Sequence, residues 1–248
     1  MIIFGVGTMY GVPLSDASGA AISNPTPVKL GVLQEVQGDM SFDEKTLYGA
    51  NQFPLAFGRG KGKFTFKAKA ADFSAQALGS LFFGASSSAG IQATVDGESH
   101  AAATTITITP PASGTYTTDY GVLYSATGLP LTRVASAPSV GQYSVNTGTG
   151  VYTFNASEVG TLLISYEYTA TSTSAAKFNI TNQLMGYAPT FQAELSLPFN
   201  GHQYNLKLLN CVSSKITLPF KNEDFSVQEF DFTALDNGSG SLGVWSLK

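Results

Sequence analysis

The sequence predicts a mainly β protein: a β-sandwich or barrel domain with one short α-helix, interrupted by a small inserted β-sandwich. Three observations predict it. Apolar and polar residues alternate with a period of two in several runs, the pattern of strands with one buried and one polar face. An Asn200-Gly201 pair separates two of those runs and marks a tight hairpin, because both turn positions tolerate positive φ. Two Ser/Thr/Ala-rich stretches, residues 85–90 and 171–176, bracket a block of short β runs whose charge differs from the rest.

Taken in order, the apolar run Met1–Leu14 comes first. It has no basic residue ahead of it, and Gly5, Gly7, Gly11 and Pro13 break it, unlike the apolar helix of a signal peptide. No uninterrupted apolar stretch approaches the ~20 residues of a membrane-spanning helix. An outer-membrane barrel would need an export signal as well as alternating strands. The expectation is a chain made and kept in a cytoplasm, or released from it by lysis.

Next, Phe64, Phe66, Ala68 and Ala70 alternate with Lys63, Thr65, Lys67 and Lys69, so Lys63–Ala70 reads as a strand. The one helix follows: Asp72 as N-cap, Phe73, Ala77, Leu78 and Leu81 at helical spacing, and Gly84 to close it. The bracketed block holds β runs at 104–109, 116–124, 141–145, 151–154 and 161–168, the spacing of a small sandwich. Residues 91–170 carry five acids and one base, a net of −4, and the remainder carries 12 of each. The chain's whole net charge, 13 − 17 = −4, therefore sits in this block. Segments whose ends return to one place are tolerated as insertions in exposed loops. The domains predicted are 1–88 and 172–248 together, with 89–171 inserted. In the second part, Phe191, Ala193, Leu195 and Leu197 alternate with Gln192, Glu194 and Ser196. The same pattern recurs at 203–208 and at Glu229–Ala234.

Composition narrows the function. Charged residues make up 12% of the 248, about half the ~25% of an ordinary soluble domain. A hydrophobic content of 43% suffices for a sizeable core and excludes wholesale disorder. One cysteine excludes an intrachain disulfide. The acidic balance argues against a chain-wide nucleic-acid footprint.

Catalytic, metal and cofactor constellations are missing from the sequence. The histidines are His100 and His202, and Cys211 lies between apolar neighbours as a buried structural thiol would. Gly58-Arg59-Gly60-Lys61-Gly62-Lys63 lacks the spacing and trailing Ser/Thr of a phosphate loop and leads into a strand. Arg59, Lys61, Lys63, Lys67 and Lys69 fall at odd positions and share one strand face. A nucleic-acid stripe would interleave aromatics on that face, but Phe64 and Phe66 point the other way. Charge complementarity favours a strip that pairs with acids of a neighbouring subunit.

The order of these elements resembles bacteriophage tail tube (major tail) proteins. It comprises an apolar N-terminal arm, the strand 28–37, a long loop 38–62, the strand Lys63–Ala70, the single helix, then four late strands ending in Phe230–Ala234 and a short tail. The insert, with Asp119-Tyr-Gly-Val122, Gly141-Gln-Tyr-Ser-Val145, Gly150-Val-Tyr-Thr-Phe154 and 158–168, resembles immunoglobulin-like segments common in phage tail proteins. The resemblance implies a non-enzymatic virion protein assembled in the host cytoplasm. It would form stacked homohexameric rings around a channel that conducts double-stranded DNA without binding it specifically. Its implied partners are further copies of itself and other tail proteins such as sheath, terminator, baseplate or tail tip. No cofactor and no membrane are implied. The loop 38–62 would reach the next ring through Leu47, Tyr48, Phe53, Leu55 and Phe57; the alternative is ordinary core, of equal weight for Leu47 and Tyr48. The channel would be lined by Gln192, Glu194, Ser196, Gln203, Asn205, Glu229, Asp231 and Thr233, a polar and weakly acidic wall.

The rival reading is a carbohydrate-binding or adhesin-like sandwich on a virion or cell surface, with Tyr116, Tyr120, Tyr124 and Tyr143 stacking on sugars.

Overall fold

The computed structural model describes residues 4–72 and 74–248, which divide into two compact units. One, the host unit, is Met1–Ser87 with Phe178–Lys248; the other, the insert, is Ser88–Lys177. The host unit opens with β1 (Thr8–Pro13), β2 (Val28–Lys29), β3 (Val32–Tyr48), β4 (Pro54–Asp72) and the helical turn α1 (Ala75–Ala77). The insert holds β5 (Ser88–Ala89), β6 (Ile91–Ala101), β7 (Thr105–Thr107), β8 (Thr115–Tyr124), β9 (Thr132–Arg133), β10 (Gln142–Asn146), β11 (Val151–Phe154), β12 (Thr161–Ala170) and β13 (Ala176–Lys177). The host unit resumes with β14 (Thr190–Phe199), β15 (His202–Thr217), β16 (Gln228–Ala234) and β17 (Gly243–Leu247). The fold is mainly β; among the described residues the helical structure is the short segment 75–82 and a 3-10 turn, Pro111–Ser113.

The host sheet runs β2-β1-β14-β15-β16-β4-β3, with β17 pairing the first half of β15. Its two edge strands, β2 and β3, are separated in sequence only by Leu30 and Gly31, with Gly31 at φ +72°. The three Cα steps from Lys29 to Val32 span at most ~10 Å, so the sheet must curl until its edges come close. The predicted continuous strand 28–37 is thus broken at Gly31, where the chain passes from one edge to the other. Leu30 is fully buried in that seam. The inner face packs Met9, Phe66, Phe191, Leu208, Phe230 and Phe232 around Leu81 of the helical segment, with Phe66 stacked on Phe232 at 5.1 Å. Asn200 (φ +48°) and Gly201 (φ +76°) form the hairpin turn between β14 and β15, with Phe199 opposite His202.

Three expectations change in this unit. The helix begins later: Asp72 pairs with Val32 on the ladder, and Ser74 is the N-cap, its hydroxyl accepting from the Ala77 N–H at 3.0 Å. One α-helical turn passes into a π-helical turn, Leu78–Phe82, and Gly84 follows at φ +60°. Phe73 lies outside the described residues. Three late strands precede the tail rather than four, and the tail itself forms β17.

The largest change is at 38–62, which is no loop. It is the outer part of a long antiparallel hairpin, paired from Val32–Asp72 to Tyr48–Pro54. A solvated ribbon has no buried face, so its sequence shows no period of two. Its glycines are covered by rings instead: a Cβ on Gly38 would lie 2.6 Å from the Phe66 ring and one on Gly62 2.9 Å from Phe42, each residue's cross-strand partner.

In the insert, the sheets β6-β12-β8 and β7-β11-β10-β9 share one core built on Tyr152, Tyr166, Leu162, Ile164 and Val122. The sequence misses β6, because Gly97 at φ +65° sits at a bulge opposite Ile164–Tyr166 and breaks the alternation. The insert also ends six residues later than predicted, because Ala176–Lys177 pairs with Ser88–Ala89 and closes the two ends together.

Candidate assembly surface

Two features of the host unit are candidates for function: the outer hairpin and the polar face of the sheet. Beyond Met40 and Phe64, residues of β3 and β4 are exposed on both sides of the ribbon. Leu47 is 63% exposed, Tyr48 59%, Phe53 81%, Leu55 72% and Phe57 58%. All five stand in solvent, so none is core of this chain. The segment 46–58 that holds them contains no charged residue, and Lys45 and Arg59 bound it.

The five bases do not share one face. A bulge between the pairs Phe42–Gly62 and Glu44–Arg59 places an extra residue on β4, and the alternation reverses there. Arg59 therefore lies on the side of Phe42, its guanidinium 4.8 Å from the ring centre, a cation–π contact. Lys61 sits at the bulge. Lys63, Lys67 and Lys69 remain on the polar face, and two of them find acids within the same chain. Lys67 reaches Glu229 at 3.0 Å, and Lys69 donates to Glu35 at 2.6 Å. The Lys69 hydrogen bond to Glu35 raises the ammonium's pKa, and the Lys67 hydrogen bond lowers that of the Glu229 carboxyl.

The register brings the basic strip and the channel candidates together. Glu229 pairs with Lys69, Asp231 with Lys67 and Lys215, Thr233 with Thr65, and Glu194 with Lys207. Gln192, Glu194, Ser196, Gln203, Asn205, Glu229, Asp231 and Thr233 are all half-buried. Paired residues share a face, so this face holds Glu35, Asp39, Glu194, Glu229 and Asp231 against Lys29, Lys63, Lys67, Lys69, Lys207 and Lys215. Five acids and six lysines make this face near-neutral. Sequence periodicity assigns each strand two faces but does not say which faces of separate strands coincide. Cross-strand register decides that.

Cys211 is fully buried, and burial pushes its thiol up to about 12, so the thiolate is suppressed. His202 lies at the exposed β14–β15 turn beside the Lys248 carbonyl, and His100 lies 2.9 Å from Glu98. No cluster of His, Cys, Asp and Glu suited to a metal occurs among the described residues. In the insert, Asp119 accepts hydrogen bonds from Tyr143 and Tyr152, both at 2.8 Å, and from the Gly121 N–H at 3.0 Å. Glu158 accepts from Tyr124 at 2.6 Å and the Gly141 N–H at 2.9 Å. Tyr116 and Tyr143 are core and Tyr124 is tied to Glu158, which leaves only Tyr120 of the four proposed sugar-stacking rings exposed. No helix among the described residues is long and apolar enough to cross a membrane.

The sequence reading passed over one further feature, the apolar cleft at the open end of the inner face, where Tyr204 and Trp245 meet edge to face at 5.7 Å. Its sequence signal was the chain's one tryptophan in the apolar run Val244-Trp245-Ser246-Leu247. Neither the known protein families nor the curated proteins contain a match to this chain.

Proposed function

We propose that the chain is a structural virion protein of a bacteriophage tail. It polymerises into stacked hexameric rings that form the tail tube, the conduit for genome ejection into the host. The observation that carries this reading is the outer hairpin: a 25-residue ribbon, 38–62, held in solvent with an uncharged apolar tip. A chain gains no stability from exposing five large apolar residues on a ribbon, and patches of this kind mark interaction surfaces. The sheet adds a second argument. β3 is an edge strand of 17 residues, and its free row of backbone N–H and C=O groups can template pairing with another chain. Repetition of one edge contact around a closed ring removes the edge.

In this reading the polar face lines the channel. Duplex DNA carries about one negative charge per 1.7 Å, so an unpaired row of lysines would hold it. Pairing Lys67 with Glu229 and Lys69 with Glu35 neutralises that row and leaves a wall that neither grips nor strongly repels the passing duplex. The chain acts as passive conduit, with no catalytic step. Negative-stain electron microscopy of the purified protein tests the proposal: hollow stacked rings support it, and dispersed monomers at high concentration overturn it.

A further inference from the structure

We infer that the apolar tip of the outer hairpin seats in the cleft beside Trp245 of a second copy of this chain. The inference deepens the tube reading and rests on it for the identity of the partner. The cleft has a volume of about 200 Å³ and opens between Val36, Met40, Phe64, Leu195, Tyr204 and Trp245, none of them charged. Met40 is 52% exposed at its rim and Trp245 59%. In a chain with 12% charged residues, a charge-free cleft and a charge-free tip of thirteen residues match in polarity.

The tip does not reach its own cleft. From the Met40–Phe64 pair to the Tyr48–Pro54 pair the ladder runs eight residues, roughly 27 Å at ~3.4 Å per residue, away from the cleft's rim. The two surfaces lie apart on one chain, which makes their contact head-to-tail, the kind that propagates.

The area is also of the right order. Rings of Tyr48, Phe53 and Phe57, worth ~150–250 Å² each and more than half exposed, offer on the order of 400 Å² before Leu47 and Leu55 are added. A specific interface needs ~800 Å² per partner, so the tip supplies most of an interface centre. Trp245 has the chemistry of a binding hot spot, a large ring on an apolar rim.

The test uses two properties of the full chain: one tryptophan and one buried, unreactive cysteine. A Phe53→Cys, Met40→Cys double variant is oxidised under assembling conditions, and Trp245 emission is followed in the otherwise unaltered protein. The expected result is a ladder of disulfide-linked multimers, absent from each single variant, with a blue shift of Trp245 on assembly. Tubes that form without the ladder and without the shift overturn this inference and leave the tube reading intact. A ladder and a shift in particles that are not tubes support the contact and count against the tube. Monomers with neither overturn both.

Discussion

The two units of this chain treat their apolar surface in opposite ways. Among the described residues, 22 large apolar side chains are exposed in the host unit and six in the insert. The units span 158 and 90 residues, so the host exposes such groups about twice as densely. The insert also satisfies its acids internally: Asp119 and Glu158 hold tyrosine hydroxyls and backbone N–H groups, and Glu98 holds Tyr166. The insert is complete as a folding unit. The host unit folds around its own core but leaves a ribbon, a cleft and a long strand edge uncovered. Low charge in the sequence thus has two meanings. In the insert, acids are tied to buried hydroxyls and backbone N–H groups; in the host unit, charge is missing from the hairpin tip and from the cleft beside Trp245.

The comparison breaks most sharply at Asp119. Asp119→Ala removes the acceptor of two buried hydroxyls and one N–H, leaving the Tyr152 hydroxyl only Tyr116 as partner, at a cost of ~3–5 kcal/mol. Calorimetry should show the insert melting more than ~10 °C lower while tubes still form. Loss of tubes in that variant would mean the insert is not independent.

The converse change is Phe53→Glu with Leu55→Glu. Losing a hot spot of ~2–4 kcal/mol should raise the concentration at which assemblies appear by at least ~30-fold, read by sedimentation. Circular dichroism should be unchanged, because neither residue touches the core.

A smaller effect separates the units by pH. Burial, first of all, raises the pKa of Tyr143, Tyr152 and Tyr166 above the ordinary 10.0. A raised pKa means the stabilisation is full below pH 10 and is lost as the pH rises further. Phenolate absorbance of these rings should therefore appear only as the insert unfolds, above the range of exposed tyrosines.

The smallest effect is at the Lys67–Glu229 pair. The lowered Glu229 pKa contributes stability at neutral pH that disappears as the pH falls through its folded value. Glu229→Gln should therefore differ slightly from the parent at pH 7 and converge with it in acid, followed by denaturant midpoints.

Much of the fold was legible in the sequence wherever a strand has one buried face. Phe191–Leu197, Phe230–Ala234 and the Asn200–Gly201 turn follow from alternation and turn chemistry alone. The outer hairpin was not legible, because a ribbon solvated on both sides has no hydrophobic period and Gly58–Gly62 looks like a loop. Arg59 was misplaced for a related reason: a bulge reverses the alternation, and nothing local in Arg-Gly-Lys-Gly signals one. Of the candidate site, the tip residues were legible as apolar groups without a strand to bury them. The cleft was not, because Val36, Phe64, Leu195, Tyr204 and Trp245 come from five strands that only the sheet order brings together.

The host unit alone is expected to carry assembly. Lys177 pairs with Ser88, so residues 88–177 can be replaced by a short linker without displacing the host strands. Electron microscopy of that deleted chain is the most direct test. Hollow tubes are the predicted result. A folded chain that stays monomeric at every concentration would mean that the host unit does not assemble by itself.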